Sequence, residues 1–136
     1  MVEVVRSLQT YYIASETDVM SAVMGCYNVA RELGFDEGQV SEISTSVSEL
    51  AMNVVKYAEF GRVELSELTN DKAIGLRVTV RDKGPGIRNI EDALSDHYST
   101  GHSLGLGLPG VKRMMDSFEL TTELEKGTTI VAEKWV

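Results

Sequence analysis

A stretch rich in glycine and proline, residues 84–110, constrains this sequence more than any other feature. It contains both prolines and six of the twelve glycines in a chain of 136 residues. Proline lacks a backbone donor and glycine weakens helices and strands, so the stretch cannot be one regular element. Long connections in compact domains are usually functional or disordered, and glycine lets a backbone approach a ligand closely. We therefore expect residues 84–110 to form a binding loop.

Helical periodicity precedes this stretch. Apolar residues recur every three or four positions over residues 16–33 and 37–57, which is the spacing of an amphipathic helix. Ser15 and Asp18 match a capping box, and Gly34 is placed to end the first helix. The sequence therefore predicts two long consecutive helices.

Segments rich in β-branched residues predict the strands. They predict strands at residues 2–9, 61–68, 73–81, 117–124 and 128–135. A third helix is expected over residues 108–116. We expect one domain spanning residues 1–136, an α+β two-layer sandwich whose mostly antiparallel sheet carries the helices on one face.

Charge and composition exclude several classes of function. The 13 Lys and Arg residues face 21 Asp and Glu residues, a net charge of −8, which disfavours nucleic-acid binding. No apolar run approaches the ~20 residues of a membrane span. One cysteine, Cys26, and two histidines, His97 and His102, cannot build a disulfide framework or a structural zinc site. We therefore expect a cytoplasmic protein that binds neither nucleic acid nor membrane.

The first candidate motif lies on the helix predicted over residues 37–57. At about 100° per residue, Glu49, Asn53 and Lys56 fall within an arc of roughly 60°, nearly opposite the apolar stripe. Carboxylate and amide oxygens suit Mg²⁺, and a carboxylate beside a phosphoryl group can orient or deprotonate a hydroxyl nucleophile. The motif indicates a metal–phosphate site, with an ordinary solvated helix face as the alternative.

The second motif, Asp82-Lys83-Gly84-Pro85-Gly86, follows the predicted strand 73–81. An aspartate at a strand end can accept a hydrogen bond from an exocyclic amine in a pocket. The two glycines would let the backbone turn sharply beside a planar ring. A plain Pro-Gly turn is the alternative.

The third motif is the glycine-rich run 101–110, which leads into the helix predicted over 108–116. Free N–H groups at a helix N-terminus bind anions such as phosphate. Gly105 to Gly110 also spells GxGxxG, but that dinucleotide fingerprint needs a strand immediately before it, and residues 96–100 are polar. The sequence also lacks the P-loop pattern and the HRD and DFG motifs of eukaryotic protein kinases.

In order and spacing, the three motifs resemble the GHKL superfamily of ATP-binding domains, which has the Bergerat fold. A late Gly127-Thr128 pair fits the same pattern, and the resemblance runs from about residue 16 to 135. Within the superfamily the sequence looks like the RsbT-type serine/threonine kinases of bacterial stressosome partner-switching modules. The stretches that carry this likeness are SELAMNVVKYA (48–58), RDKGPGI (81–87), GLGLPGVKRMMD (105–116) and GTTIVAEKW (127–135).

The resemblance implies ATP and Mg²⁺ as cofactors and a role for each candidate residue. Glu49 would be the catalytic acid/base, Asn53 the Mg²⁺ ligand, and Lys56 a contact to a phosphate. Asp82 would accept the adenine amino group, with Thr128 supporting it. Glycine-rich backbone would supply the rest, with the adenine pocket walled by Gly84 and Gly86 and the phosphates held by Gly105, Leu106, Gly107 and Leu108.

One departure from the family pattern concerns a cation. Related anti-sigma kinases carry an arginine in the loop before the last long helix, yet none lies between Arg88 and Arg113. His102 is one candidate for contact with the γ-phosphate, although a lone loop histidine is more often solvated. The sequence leaves the identity of this cation open.

The function implied by the resemblance is that of an ATP-dependent protein serine/threonine kinase. Its targets would be STAS-domain scaffold and antagonist proteins of a stressosome, and the released kinase would activate a PPM-type phosphatase. The alternatives are an anti-sigma factor kinase that sequesters a sigma factor directly, a non-catalytic ATP-binding module, and a detached histidine-kinase catalytic domain. Glu49 disfavours the last, because such domains usually carry Asn at that position.

Overall fold

The computed structural model describes residues 2–88, 93–94 and 107–136 of the chain. Five strands and three helices lie in these ranges, in the order of elements that the sequence predicts. They are β1 (Glu3–Ile13), α1 (Glu16–Leu33), α2 (Glu37–Tyr57), β2 (Gly61–Thr69), β3 (Ile74–Asp82), α3 (Gly107–Met114), β4 (Ser117–Glu123) and β5 (Gly127–Trp135).

The strands form one five-stranded sheet in the order β1-β2-β3-β5-β4. Every neighbouring pair is antiparallel. The helices α1 and α2 pack against each other and against one face of this sheet. The predicted fold class, an α+β sandwich with a mostly antiparallel sheet and helices on one face, is confirmed.

The bounds of α1 and α2 match the predicted helices because local capping signals set them. The Ser15 hydroxyl accepts from the Asp18 N–H at 3.3 Å, and the Asp18 carboxylate accepts from the Ser15 N–H at 3.1 Å. Gly34 ends α1 in a left-handed conformation with φ of 99°. A second capping box, between Asp36 and Gln39, begins α2.

Strand β1 extends four residues beyond the C-terminal bound of the predicted strand, residues 2–9. Its last residue, Ile13, lies opposite Gly61 of β2 and is buried. Two register shifts interrupt the pairing earlier in β1, between Val4 and Arg6 and again between Ser7 and Gln9. The added residues 10–13 pair in regular register with residues 61–64 of β2, a partner distant in sequence, so the predicted strand was too short.

Lys134 fastens the C-terminal end of α3 to β5. Its Nζ donates to the Met114 carbonyl oxygen at 2.6 Å, and it lies 3.4 Å from Glu42 Oε1 and 3.8 Å from Asp116 Oδ1. The Lys134 side chain is only 8% exposed. The Asp116 N–H already donates to the Glu133 carbonyl in the sheet. The helix therefore ends at Met114, two residues before the predicted end.

The hydrophobic core fills the space between the sheet and helices α1 and α2. It includes Ile43, Leu50, Leu65 and Leu76, which are almost fully buried. Cys26 lies in the same core, where burial raises the pKa of its thiol to about 12. The thiol is therefore protonated at neutral pH and is not a nucleophile. Within the described ranges, no helix is long and apolar enough to cross a membrane.

Candidate functional site

A cavity of about 340 Å³ opens between α2, the ends of β3 and β5, the loop after β3 and the start of α3. Its polar lining includes Glu49, Asn53, Asp82 and Thr128, which the sequence singled out. Its apolar wall is formed mainly by Leu50, Val54, Val80, Ile87, Leu108 and Ile130. An apolar cavity with a few convergent polar groups is typical of a small-molecule site.

Glu49 lies on the part of α2 that lines the cavity and is only 3% exposed. Its Oε1 atom is buried and has no hydrogen-bond partner among the described residues. Leaving a buried polar atom unpaired costs about 1–3 kcal/mol, and more when it is charged. The alternative of an ordinary solvated helix face is therefore wrong for Glu49, and its free oxygen points to a ligand.

The other two residues of the predicted arc on α2, Asn53 and Lys56, differ in whether they line the cavity. Asn53, one turn after Glu49, lines the cavity, whereas Lys56 is not among the lining residues. Leu50 and Val54 line the same cavity, so the polar and apolar sides of α2 meet there. The cavity thus brings Glu49 and Asn53 together, and the contact of Lys56 with a phosphate stays a prediction.

Asp82, the last residue of β3, is held in place by the backbone. Its Oδ1 accepts from the Gly84 N–H at 2.9 Å and from the Thr128 N–H at 3.2 Å. These bonds tie the carboxylate to the loop and to β5 at once. The carboxylate lines the cavity with a second oxygen available to accept a hydrogen bond from a ligand.

The two glycines after Asp82 allow a backbone path that other residues would obstruct. A Cβ on Gly84 would lie 2.7 Å from the Ala58 Cβ, closer than atoms in proteins pack. Gly86 has a φ of 80°, and a Cβ there would lie 2.6 Å from the Glu123 carbonyl oxygen. The loop is therefore more than the plain Pro-Gly turn of the alternative, because it packs against both α2 and the β4–β5 hairpin.

Two threonines fasten the loop to β4 and β5. The Thr122 hydroxyl accepts from the Ile87 N–H at 2.9 Å, and its oxygen lies 2.9 Å from the Thr128 Oγ1. Thr128 is 8% exposed and lines the cavity beside Asp82. Asp82, Gly86 and Thr128, which the sequence assigned to one pocket, are therefore brought together, whereas Gly84, assigned to the same pocket, is not among the lining residues.

The start of α3 forms another wall. Gly107 has a φ of 55°, and Leu108 is buried, with both residues lining the cavity. Gly105 and Leu106, predicted to hold phosphates, and His102, the candidate cation, lie outside the described residues. Gly107 and Leu108, in the part of the glycine-rich motif that the structure describes, therefore line the cavity.

Sequence reasoning missed Arg88 as a site residue. Arg88 follows Gly86 by two positions and lines the cavity. Among the described residues that line the cavity, Arg88 is the only lysine or arginine. Its place just after the second glycine of the Asp82 motif was the available signal.

A profile of the histidine kinase-like ATPase domain family matches residues 13–134, nearly the whole chain. The chain belongs to this family. It is 41% identical over 124 residues to the serine/threonine-protein kinase RsbT of Bacillus subtilis (strain 168), covering 91% of this chain and 93% of that protein. The anti-sigma F factor of Geobacillus sp. (strain WCH70) is 31% identical over 105 residues, 72% of this chain and 70% of that protein.

The histidine kinase-like fold also appears in a solved structure. The RsbU and RsbW domains of a Mycobacterium tuberculosis protein align with a TM-score of 0.64 and 18% identity, covering 93% of this chain and 32% of that chain. At this identity the likeness supports the fold alone. The predicted membership of the GHKL superfamily, the likeness to RsbT-type kinases and the predicted enzyme class are confirmed by the family and RsbT matches.

The residues of this ATPase-type cavity fit a nucleotide with a hard cation. Glu49 and Asn53 offer oxygen ligands, and Glu49 Oε1 lacks a partner within the described residues. No group of three or more His, Cys, Asp or Glu side chains able to hold a metal occurs in the described part of the chain. The two oxygen ligands of Glu49 and Asn53 suit Mg²⁺, which binds through one or two protein ligands together with phosphate oxygens and water.

Proposed function

We propose that this chain is an ATP- and Mg²⁺-dependent protein serine/threonine kinase and that residues 1–136 act as one catalytic domain. The observation that carries the proposal is Glu49, which lines the same cavity as Asp82 and whose buried Oε1 has no partner among the described residues. A hydrogen-bond acceptor for the base and a carboxylate for proton transfer are the two groups that such an enzyme needs.

The Asp82 carboxylate recognises the adenine. Its fixed Oδ1 leaves the other oxygen to accept from the exocyclic amine, and Thr128 lies beside it. Gly84 and Gly86 let the loop pack closely against Ala58 and Glu123, which fixes its path beside the base. Guanine presents a carbonyl oxygen where adenine presents the amine, so a carboxylate acceptor selects ATP over GTP.

Glu49 handles the proton of the target hydroxyl. The hydroxyl oxygen bonds to the γ-phosphorus as the bond from that phosphorus to the bridging oxygen breaks, ADP leaves, and the hydroxyl proton passes to the Glu49 carboxylate. Asn53 would hold Mg²⁺ through its side-chain oxygen, and Lys56 would contact a phosphate. Bound Mg²⁺ supplies neutralisation of the phosphate charge. The backbone from Gly105 to Leu108 would hold the phosphates at the start of α3.

The proposed targets are STAS-domain scaffold and antagonist proteins of a stressosome in the cytoplasm. When released from them, the kinase would bind and activate a PPM-type phosphatase, as partner switching requires. The support for this part is the 41% identity to RsbT over 93% of that protein's length.

An anti-sigma factor kinase that sequesters a sigma factor directly is the second candidate. It is favoured by the 31% identity to an anti-sigma F factor, although that match covers 72% of this chain against 91% for RsbT. The partner that binds this chain distinguishes the two, because a sigma factor supports the second candidate and a STAS-domain scaffold supports the first.

The experiment that tests the proposal combines labelled ATP, Mg²⁺, the purified chain and a STAS-domain protein. We expect label on serine or threonine of the partner, as a phosphoester that survives acid. Chelation of Mg²⁺ and Asn53→Ala should both reduce the transfer, because Asn53 lines the cavity. Asn28→Ala is the matched control, because Asn28 is exposed on α1.

Two results would contradict the proposal, and a third would revise the role of Asn53. Acid-labile label, or label on His97 or His102 of the chain itself, would indicate histidine-kinase chemistry. ATP binding with no transfer to a STAS partner or to any co-purifying protein would favour a non-catalytic module. Equal transfer by Asn53→Ala and Asn28→Ala would remove Asn53 from the site.

A further inference from the structure

The charges that line the cavity are unbalanced for a triphosphate. Two carboxylates, Glu49 and Asp82, lie in its wall, and the whole chain carries a net charge of −8. A nucleotide adds several further negative charges, and like charges repel most strongly where water is excluded. A cation at the cavity wall would offset part of this repulsion.

Arg88 is the one cationic side chain in the described lining of the cavity. Lys56 does not line it, although it lies on the same helix as Glu49. No ion pair of Arg88 with a carboxylate is found among the residues described. The arginines on β1 and β3 differ, because Arg6, Arg77 and Arg81 each pair with a glutamate.

The backbone that leads to Arg88 is held firmly. The Ile87 N–H donates to the Thr122 hydroxyl, and Gly86 packs against the Glu123 carbonyl. The Pro85 carbonyl accepts from the Glu125 N–H at 2.7 Å. Arg88 therefore projects from a fixed point of the cavity wall, with its side chain exposed to a ligand that enters from solvent.

We propose that Arg88 binds the phosphate groups of the nucleotide and sets the preference for nucleoside phosphates over nucleosides. The assignment rests on the proposed function as an ATP-binding kinase. Guanidinium stays charged at every physiological pH and donates two parallel N–H bonds to phosphate oxygens. Arg88 thus supplies a positive charge that the rest of the described cavity lining lacks.

Titration calorimetry with ATP and with adenosine tests this assignment. For Arg88→Gln we expect roughly tenfold weaker ATP binding, because a hydrogen bond to a charged group is lost, and adenosine binding within about twofold of wild type. Lys83→Gln is the matched control, because Lys83 is an exposed cation of the same loop that does not line the cavity. Arg88→Lys keeps the charge but not the paired donors, so it should give an intermediate loss.

Each outcome bears on the assignment. Equal losses of ATP and adenosine affinity would overturn it, because Arg88 would then support the loop or the base. ATP affinities of Arg88→Gln and Lys83→Gln that agree within error would also overturn it. If Arg88→Gln fails to fold, Arg88→Lys is compared with wild type instead. An unchanged ATP affinity in Arg88→Lys would then reject the proposal that the guanidinium donates two hydrogen bonds to phosphate. A wild-type chain that binds no ATP would overturn the proposed function itself, whereas ATP binding that ignores Arg88 would overturn only this inference.

Discussion

The two ends of the cavity differ in how far the chain satisfies its own polar groups. At the loop end, Asp82 accepts two backbone hydrogen bonds and Thr128 lies within hydrogen-bond distance of Thr122. At the α2 end, Glu49 is only 3% exposed, but its Oε1 has no partner among the described residues. Folding therefore pairs Asp82 Oδ1 and Thr128 at the loop end, and we propose that a ligand pairs Glu49 Oε1 at the α2 end.

This contrast predicts that nucleotide recognition and phosphoryl transfer depend on different ends of the cavity. Side chains at the loop end should govern which nucleotide binds and how stable the fold is, because they belong to the hydrogen-bond network of β3, β4 and β5. Side chains at the α2 end should govern the reaction rate, because the fold does not use their free atoms. Substitutions at the two ends should therefore change different measured quantities.

The largest effect is expected for Glu49→Gln. The amide keeps the shape of the side chain but cannot take a proton, and general bases contribute typically ~10²–10⁴-fold to rate. We expect that loss in phosphoryl transfer, with ATP affinity and unfolding free energy close to wild type, because no described hydrogen bond uses the buried Oε1. Transfer assays and calorimetry measure the two quantities separately.

The control for this variant is Glu37→Gln, because Glu37 is exposed at the start of the same helix. It should transfer phosphate at the wild-type rate. Retained transfer in Glu49→Gln would show that the two ends do not divide the work as proposed.

The next effect is expected for Asp82→Asn. Asparagine can still accept the Gly84 and Thr128 N–H bonds, so the fold should persist. Its NH₂ group would face the adenine amine, and losing a charge-assisted bond costs about 1.5–3 kcal/mol, or roughly 10–150-fold in ATP affinity. Thermal melts with ATP and with GTP measure this loss, and Glu119→Gln on the exposed side of β4 is the control. Equal stabilisation of wild type by ATP and GTP would reject adenine recognition.

Gly84→Ala should destabilise the loop end without changing the chemistry. The added Cβ would meet the Ala58 Cβ at 2.7 Å, and overpacking of this kind costs about 1–3 kcal/mol of unfolding free energy. Urea denaturation measures the change. Ala58→Gly in the same chain should recover part of it by removing the clashing atom.

A matched glycine is available for that experiment. Gly38 lies in the first turn of α2, where a Cβ would lie 3.4 Å from Asp36 Oδ1. Gly38→Ala should leave stability unchanged or raise it by roughly 0.5–1 kcal/mol, since alanine favours the helix. Equal destabilisation by the two alanines would contradict the packing argument.

The smallest effect is expected for Thr128→Val. This change keeps the shape but removes the 2.9 Å contact between the Thr128 and Thr122 hydroxyls, worth about 0.5–1.5 kcal/mol of unfolding free energy. Thr129→Val, one residue later and therefore on the opposite face of β5, should change stability by less than about 0.5 kcal/mol. A Thr128→Val variant as stable as wild type would show that the loop end does not depend on this hydroxyl network.

The two long helices could be predicted to the residue because their signals are local. The Ser15–Asp18 box and Gly34 lie within a few residues of the ends of α1 that they determine. The end of β1 and the end of α3 were harder to predict. Both depend on partners distant in sequence, which are β2 for the strand and Lys134 for the helix. Local patterns carry little information about such pairings.

The site shows the same division. Asp82 and Thr128 were grouped by family resemblance, and the structure places them in contact through the Thr128 N–H. Helical spacing grouped Glu49, Asn53 and Lys56, but packing decides that only the first two line the cavity. Arg88 was missed because its place in the cavity wall depends on how the loop packs against Glu123. Its position two residues after Gly86 does not by itself show that path.

The anchoring of α3 at one end has a mechanical consequence. Lys134 and Asp116 hold the C-terminal end to β5, while Gly107 and Leu108 at the other end line the cavity. A helix of eight residues is about 12 Å long, so a rigid turn of about 10° about the anchored end moves its free end by about 2 Å. That distance is comparable to the difference between a hydrogen bond and no contact at all. Any rigid turn of α3 about Lys134 and Asp116 would therefore be largest where the helix lines the cavity.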